Sequence, residues 1–108
     1  MITKIELSPL KNKRYRVTMD DGEHYDFGFK DPDTGRFGDT FVDNHSLTKR
    51  ENYRNRHLGN KIEKILISNL IPSPATFSYW ILWGPYTSIK KNIEFLNNEW
   101  KEKHLAKK

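Results

Sequence analysis

The sequence predicts an α+β fold, in which an N-terminal antiparallel β-meander packs on a C-terminal helical half. Before residue 30, apolar and polar residues alternate in three stretches, which is the two-residue period of strands. Beyond residue 45, apolar residues recur at spacings of three and four, which is the helical period. Strands followed by helices disfavour a parallel α/β sheet. We expect one domain over residues 1–108, with about three to four strands in 1–44 and about four helices in 45–108.

The first strand is predicted over residues 3–7, where apolar and charged residues alternate. The residues expected on its half-buried face are Thr3, Ile5 and Leu7. Pro9 interrupts this strand, because proline cannot donate to a sheet.

The next two strands flank Asp20-Asp21-Gly22 and form a predicted hairpin. Their apolar residues are Tyr15, Val17, Met19, Tyr25, Phe27 and Phe29. A two-residue turn would send the two apolar sets to opposite faces of the sheet. We therefore predict a three-residue loop with Gly22 in the left-handed conformation, which sets Val17 opposite Tyr25 on one apolar face.

Residues 30–39 (KDPDTGRFGD) are predicted to form a loop, because proline and glycine punctuate them. Residues 40–42 are expected to add a short strand. The loop begins like a calcium-binding loop, but the third ligand, the glycine and the final glutamate of an EF-hand are missing. A loose divalent-cation site on Asp31, Asp33 and Asp39 stays open as the alternative to a plain turn whose aspartates accept hydrogen bonds from their own backbone.

The first two helices are predicted from their caps. Thr48 begins a capping box ahead of the helix KRENYRNRHL, and Gly59 is expected to end it. Asn60 begins the second helix, which ends before Pro72. The apolar residues that share one face of the second helix are Ile62, Ile65, Leu66 and Leu70.

The last two helices carry most of the tryptophan. Ser73 and Pro74 are expected to begin the segment ATFSYWILW, which is apolar nearly all round and should pack in the core against the aromatic face of the hairpin. Thr87 is expected to cap the fourth helix. Its apolar stripe is Ile89, Ile93, Leu96 and Trp100, and residues 101–108 continue it as a charged, frayed tail.

Composition excludes several kinds of chemistry. The chain has no cysteine, which removes disulfides, thiolate metal sites and thiol nucleophiles. The N-terminus has no continuous apolar stretch of the kind found in signal peptides, and no stretch of the chain approaches eighteen apolar residues. We therefore expect neither a signal peptide nor a membrane span, and an intracellular rather than secreted protein. The four histidines fall in four different predicted elements, without a nucleophile or acid–base motif beside them. We predict no catalytic residue, no cofactor and no metal ligand.

Positive charge is concentrated in residues 49–64, which hold six Lys or Arg against two Asp or Glu, within a chain of net charge +5. Such a cluster is typical of a surface that binds phosphate or an acidic protein. The arginines of the first helix are expected to point outward, with Tyr53 against the core. The predicted partner-binding or polyanion-binding residues are Lys49, Arg50, Arg54, Arg56, Lys61, Lys101, Lys107 and Lys108.

Three segments resemble an uncharacterised family of small basic proteins encoded by large DNA viruses of algae and protists. They are Asp26-Phe27-Gly28, the segment KRENYRNRH from Lys49 to His57, and the Leu-Trp-Gly that closes the aromatic helix at residues 82–84. The likeness covers residues 25–84. It implies a viral source and carries no activity and no residue roles.

The leading expectation is a non-enzymatic structural component of a virus particle, such as a minor capsid or core-associated protein. It would bind other viral structural proteins, inside the host cell and in the virion. The first alternative is a nucleic-acid-binding protein that does not read sequence. The second is a metal-dependent hydrolase or nuclease, which would need Asp31, Asp39, Asp43 and His45 to converge on one cleft.

Overall fold

A computed structural model describes residues 1–106, with side chains described to Lys103. The elements are β1 (Ile2–Leu7), β2 (Lys13–Met19), β3 (His24–Phe29), α1 (Phe41–Asn44), α2 (Leu47–Leu58), α3 (Lys61–Ser68), α4 (Pro74–Phe77), a π-helix (Ser78–Leu82) and α5 (Ile89–Ala106). The strands form an antiparallel sheet in the order β1-β2-β3. This arrangement confirms the predicted α+β class.

The β2–β3 hairpin has the predicted register. Val17 pairs with Tyr25, and Tyr15 pairs with Phe27. The amide of Met19 donates to the carbonyl of Glu23 at 2.8 Å, which closes a three-residue loop. Gly22 has a φ of 89°, the left-handed conformation that this loop needs. The alternation of apolar and polar residues in the two strands was therefore sufficient to predict the length of the turn.

The apolar stripe predicted for β1 is wrong at both ends. The pairing of β1 with β2 is irregular between Ile2 and Lys4, so Ile2 is buried while Thr3 is exposed. Leu7 is exposed as well. Asn97 of α5 covers the end of this edge strand, because its side chain accepts from the Ile2 amide at 2.9 Å and donates to the Ile2 carbonyl at 3.0 Å.

The short strand predicted at residues 40–42 is also wrong, because the chain forms one helical turn there. Thr40 caps α1 through a capping box with Asp43, whose carboxylate accepts from the Thr40 amide at 3.0 Å. Phe41 is buried. The spacing of Thr40 and Asp43 is a helix-start signal that the strand prediction did not take into account.

Two helix starts differ from the prediction, and the other two, at Asn60 and Ser73, agree. Ser46, not Thr48, caps α2 by accepting from the Lys49 amide at 3.2 Å. Ser88, not Thr87, accepts from the Lys91 amide at the start of α5. Asn60 caps α3 as predicted. When two nearby residues both carry a hydroxyl group, the sequence does not show which of them caps the helix. The path of the preceding chain decides between them.

Helix α3 does not bury its apolar face as predicted. Two side chains of the predicted apolar face are exposed, Ile62 by 72% and Ile65 by 56%, whereas Ile67 and Leu70 are buried. The helix contacts mainly α2 and α4 rather than the sheet, so only one edge of its apolar face reaches the core. Leu70 follows the C-cap residue Asn69 and has the left-handed conformation that terminates helices, with φ of 54°.

The core lies between the sheet and the aromatic segment of residues 74–83, as predicted. The ring of Phe77 packs on those of Tyr25 and Phe27, at centroid distances of 5.4 and 5.9 Å. This segment is not one regular helix. It passes from α4 into the π-helix, where the amide of Trp83 donates to the carbonyl of Ser78, five residues back, at 3.2 Å.

Candidate functional site

Two arginines of α2 point into the molecule rather than outward. Arg54 donates from Nε to the Trp83 carbonyl at 3.0 Å, and its guanidinium lies 4.9 Å from the centre of the Tyr79 ring. Arg50 donates to the Gly84 carbonyl at 3.4 Å, and its side chain is 19% exposed. The expectation that both guanidinium groups face outward is therefore wrong.

The π-helix explains why these arginines turn inward. The last carbonyls of a helix lack partners within it, and cationic side chains stabilise them. Arg50 and Arg54 supply that stabilisation from α2. From α5, the buried Asn92 donates to the Ile81 carbonyl at 2.8 Å. A side chain at Gly84 would place Cβ 2.0 Å from the Trp80 carbonyl oxygen, so glycine is required there.

Burial has an electrostatic consequence for Arg54. Desolvation lowers the pKa of its guanidinium, because the neighbouring rings and carbonyls replace only part of the lost water. An arginine with these contacts contributes to the fold.

The other predicted binding residues are distributed over more than one surface. Arg56 and Lys61 are exposed, and Lys49 is exposed with its ammonium 3.5 Å from Asp39. Lys101 lies on α5, away from α2 and α3, in a groove that Met19 of β2 and Trp100 also line. Lys107 and Lys108 lie outside the described residues. Binding by these side chains stays a prediction.

An aromatic stack links α2 to the π-helix. The Tyr53 ring stacks on Trp83 with centroids 4.3 Å apart and an angle of 7°, and its hydroxyl lies 2.9 Å from Ser78 Oγ. His57 packs on the other side of Tyr53, and its Nδ1 contacts the Glu63 carboxylate at 2.5 Å. Burial raises the pKa of the Tyr53 hydroxyl. Tyr53 is thus held against the core, as expected.

This stack lines a cleft of about 750 Å³. The cleft lies between the end of the β2–β3 hairpin and helices α2, α3 and α4. Its apolar lining comes from Phe29, Leu66, Pro74, Ala75, Leu82 and Trp83. Lys13 and Arg56 bring positive charge to it. The sequence prediction missed the cleft, because its residues come from six separate segments with no common motif.

The apolar lining of the cleft continues onto the outer surface of α3. Successive residues of a helix are rotated by about 100°, so Ile62 lies about 40° from Leu66, and Ile65 about 60° further round. Lys61 and Lys64 occupy the far side of the helix. We call Ile62, Ile65 and Leu66 the α3 ridge. It is an apolar strip, exposed at Ile62 and Ile65 and half-buried at Leu66, between the cleft and two lysines.

A second groove, of about 440 Å³, lies between β1 and α5. Its floor contains Ile5, Ile89 and Ile93, which are partly buried against the core. Its charged lining is Lys4, whose ammonium lies 3.4 Å from the Glu6 carboxylate, together with Lys90 and Glu94 of α5. It is smaller than the cleft.

The residues of the hydrolase alternative have other structural roles. Asp31 accepts from the Asp33 amide at 2.8 Å, as in a plain turn. Both oxygens of Asp43 accept from Arg14, at 2.7 and 2.8 Å. Within residues 1–103, no group of three His, Asp or Glu side chains is close enough together to hold a metal ion. Asp31, Asp39, Asp43 and His45 therefore do not form such a cluster.

In the part of the chain that the structure describes, no helix combines the length and apolar character needed to cross a bilayer. Comparison with models of protein families, with curated proteins and with solved structures gave no match to this chain.

Proposed function

We propose that this protein is a non-enzymatic binding subunit that contacts another protein through the α3 ridge and the adjoining cleft. The observation that carries the proposal is the exposure of Ile62 and Ile65. Contiguous exposed apolar side chains next to a concave surface are typical of protein interfaces. Charged residues flank these two apolar side chains. An apolar centre within a polar, charged rim is the usual anatomy of a protein interface.

The α3 ridge is presented on a rigid helix. Asn60 caps α3 at its start, and the amide of Ile71 donates to the Leu66 carbonyl at 2.9 Å at its end. The Trp100 indole donates to the Leu70 carbonyl at 2.7 Å, which ties this end to α5. A preorganised surface loses little conformational entropy on binding, which favours affinity.

The test is affinity capture from the cells that produce the protein, with the bound proteins identified by mass spectrometry. The variant Ile62→Ser/Ile65→Ser removes the centre of the ridge. Leu47→Ser is its matched control, because Leu47 is also an exposed apolar residue, 61% exposed, but lies at the start of α2. We expect proteins that bind the native chain and the control and are lost with the double variant. If no bound protein depends on the ridge, the proposal is wrong.

We also propose a virus particle as the place of this subunit, with other viral structural proteins as its partners. Its support is the resemblance of residues 25–84 described above. Mass spectrometry of purified particles and of infected cells tests it. We expect the protein in both, and abundance in cells together with absence from particles contradicts a structural role in the virion.

A second candidate function is sequence-independent binding of nucleic acid, favoured by four exposed cations on α2 and α3. They are Lys49, Arg56, Lys61 and Lys64. Because Arg50 and Arg54 are engaged in the fold, the slope of log affinity against log salt should be about −3.6 rather than the value of about −5.4 for six phosphate contacts. Titration of a short DNA duplex measures this slope. No binding at low salt excludes this candidate.

A further inference from the structure

We propose that the partner segment bound by the cleft is acidic and amphipathic, with apolar side chains on the α3 ridge and carboxylates on Lys13 and Arg56. This inference rests on the proposed function and names the chemistry of its partner. Three features of the cleft support it: its unpaired charge, its satisfied polar groups and its apolar walls.

The charges of the cleft are unequally paired. Its two acidic groups have partners, because Glu63 contacts His57 at 2.5 Å and Asp39 contacts both Asn44 and Lys49. Within residues 1–103, neither Lys13 nor Arg56 forms an ion pair. The cleft therefore contains two cations, Lys13 and Arg56, that have no ion-pair partner among the described residues and can attract carboxylates of a partner.

Three hydroxyl groups that line the cleft already have partners. The Ser78 hydroxyl is bonded to the Tyr53 hydroxyl, and Ser73 Oγ donates to Thr76 Oγ1 at 3.0 Å. An apolar side chain can enter without leaving these hydroxyls unsatisfied.

The walls of the cleft give such a side chain apolar surface on two sides. Phe29 is 61% exposed at the end of β3, and Leu66 lies on the α3 side. Ile62 and Ile65 extend this surface beyond the cleft. A segment of a partner protein can place one apolar residue inside and others along the ridge, which is the usual mode of peptide recognition in a groove.

Selection from a phage-displayed library of random twelve-residue peptides against the full chain tests the inference. We expect the selected peptides to combine Asp or Glu with at least two large apolar residues. Enrichment of basic or uncharged sequences, or no enrichment, overturns the inference. Should the ridge-dependent capture succeed while the peptides are not acidic, the inference fails and the proposed function stands. Loss of the ridge-dependent capture contradicts the proposed function itself.

Charge-reversal variants test whether the selected peptide binds in the cleft. Lys13→Glu/Arg56→Glu should weaken a selected peptide by about ten-fold or more in fluorescence anisotropy, because two attractive contacts become repulsive. Lys90→Glu/Lys91→Glu changes the net charge equally on α5 and should change affinity by less than about two-fold. Equal effects of the two variants overturn the inference.

Two further measurements control for misfolding and for nucleic-acid binding. Circular dichroism melts check that each variant folds. If the double charge-reversal variant does not fold, Arg56→Gln replaces it, with an expected loss of peptide affinity of about three-fold. A 20-base-pair DNA duplex is titrated as a competing probe. Tighter binding of the duplex than of any selected peptide, with the same dependence on Arg56, assigns the cleft to nucleic acid and overturns the inference.

Discussion

Arg54 and Arg56 lie two positions apart on α2 and have opposite environments. Arg54 contacts the Trp83 carbonyl and the Tyr79 and Trp80 rings, whereas Arg56 is exposed beside Tyr53. In the sequence the two residues are equivalent members of one basic segment. What distinguishes them is the set of carbonyls at the end of the π-helix, which the local sequence does not reveal.

Alanine substitution should separate the two arginines. Arg54→Ala removes a charged hydrogen bond and a cation–π contact, and should lower the free energy of unfolding by about 2 kcal/mol. Arg56→Ala should change it by less than about 0.5 kcal/mol, because the side chain is exposed. Urea unfolding measures both. Equal values would contradict the inward placement of Arg54.

The pair of Arg14 and Asp43 should make stability depend on pH. Hydrogen bonds from Arg14 hold the pKa of Asp43 below its ordinary value of 3.8. Since the folded pKa is the lower one, the stabilisation is present above pH 3.8 and is lost as pH falls through the folded value. Urea midpoints measured from pH 6 down to about pH 2 should show this loss.

The variant Asp43→Asn tests the same pair at neutral pH. The substitution leaves the almost fully buried guanidinium of Arg14 without a counter-charge. Breaking such a pair should lower the free energy of unfolding by about 3 kcal/mol, the low end of the range for buried pairs, because Asp43 itself is one third exposed. Asp39→Asn is the matched control, because its pair with Lys49 is exposed and should be worth less than about 1 kcal/mol. A cost for Asp43→Asn no larger than that of the control would show that the Arg14 pair is not the important contact.

Among the elements, the end of the π-helix depends on Gly84, which follows its C-cap Trp83. Gly84→Ala forces Cβ against the Trp80 carbonyl and should destabilise the protein by roughly 3 kcal/mol or more. Gly59→Ala is the control, because Gly59 is right-handed and its Cβ would lie 3.4 Å from the nearest atoms. Thermal unfolding distinguishes them, and a tolerated Gly84→Ala would contradict this geometry of residues 80–84.

Elements with a short-range signal could be predicted from the sequence. The β2–β3 hairpin followed from parity, and Asn60 and Ser73 were correct caps. The errors arose where distant parts of the chain decide. The apolar face of α3 was recognised as a face, but its exposure depends on α3 packing beside α2 and α4 rather than on the sheet. Periodicity shows which residues share a face and says nothing of what covers it.

At the scale of the whole molecule, the basic charge serves two purposes. Part of it is internal, since Arg14, Arg50 and Arg54 stabilise carboxylates and carbonyls of their own chain. Other cations lie on the surface: Lys13, Arg56, Lys61 and Lys64 are around the cleft and the α3 ridge, whereas Lys90, Lys91 and Lys101 are on α5. A net charge of +5 therefore overstates the positive surface available to a partner. The cleft could not be predicted from sequence, because the fold alone brings its lining together.

Hydrogen–deuterium exchange of the full chain, alone and bound to a selected acidic peptide, tests whether the cleft and the α3 ridge form the binding surface. We expect protection on binding to be confined to α3, the end of β3 and the α2 residues beside the cleft, and Ile62→Ser/Ile65→Ser to abolish it. Protection at the groove between β1 and α5, or protection that persists in the double variant, would show that the peptide binds elsewhere.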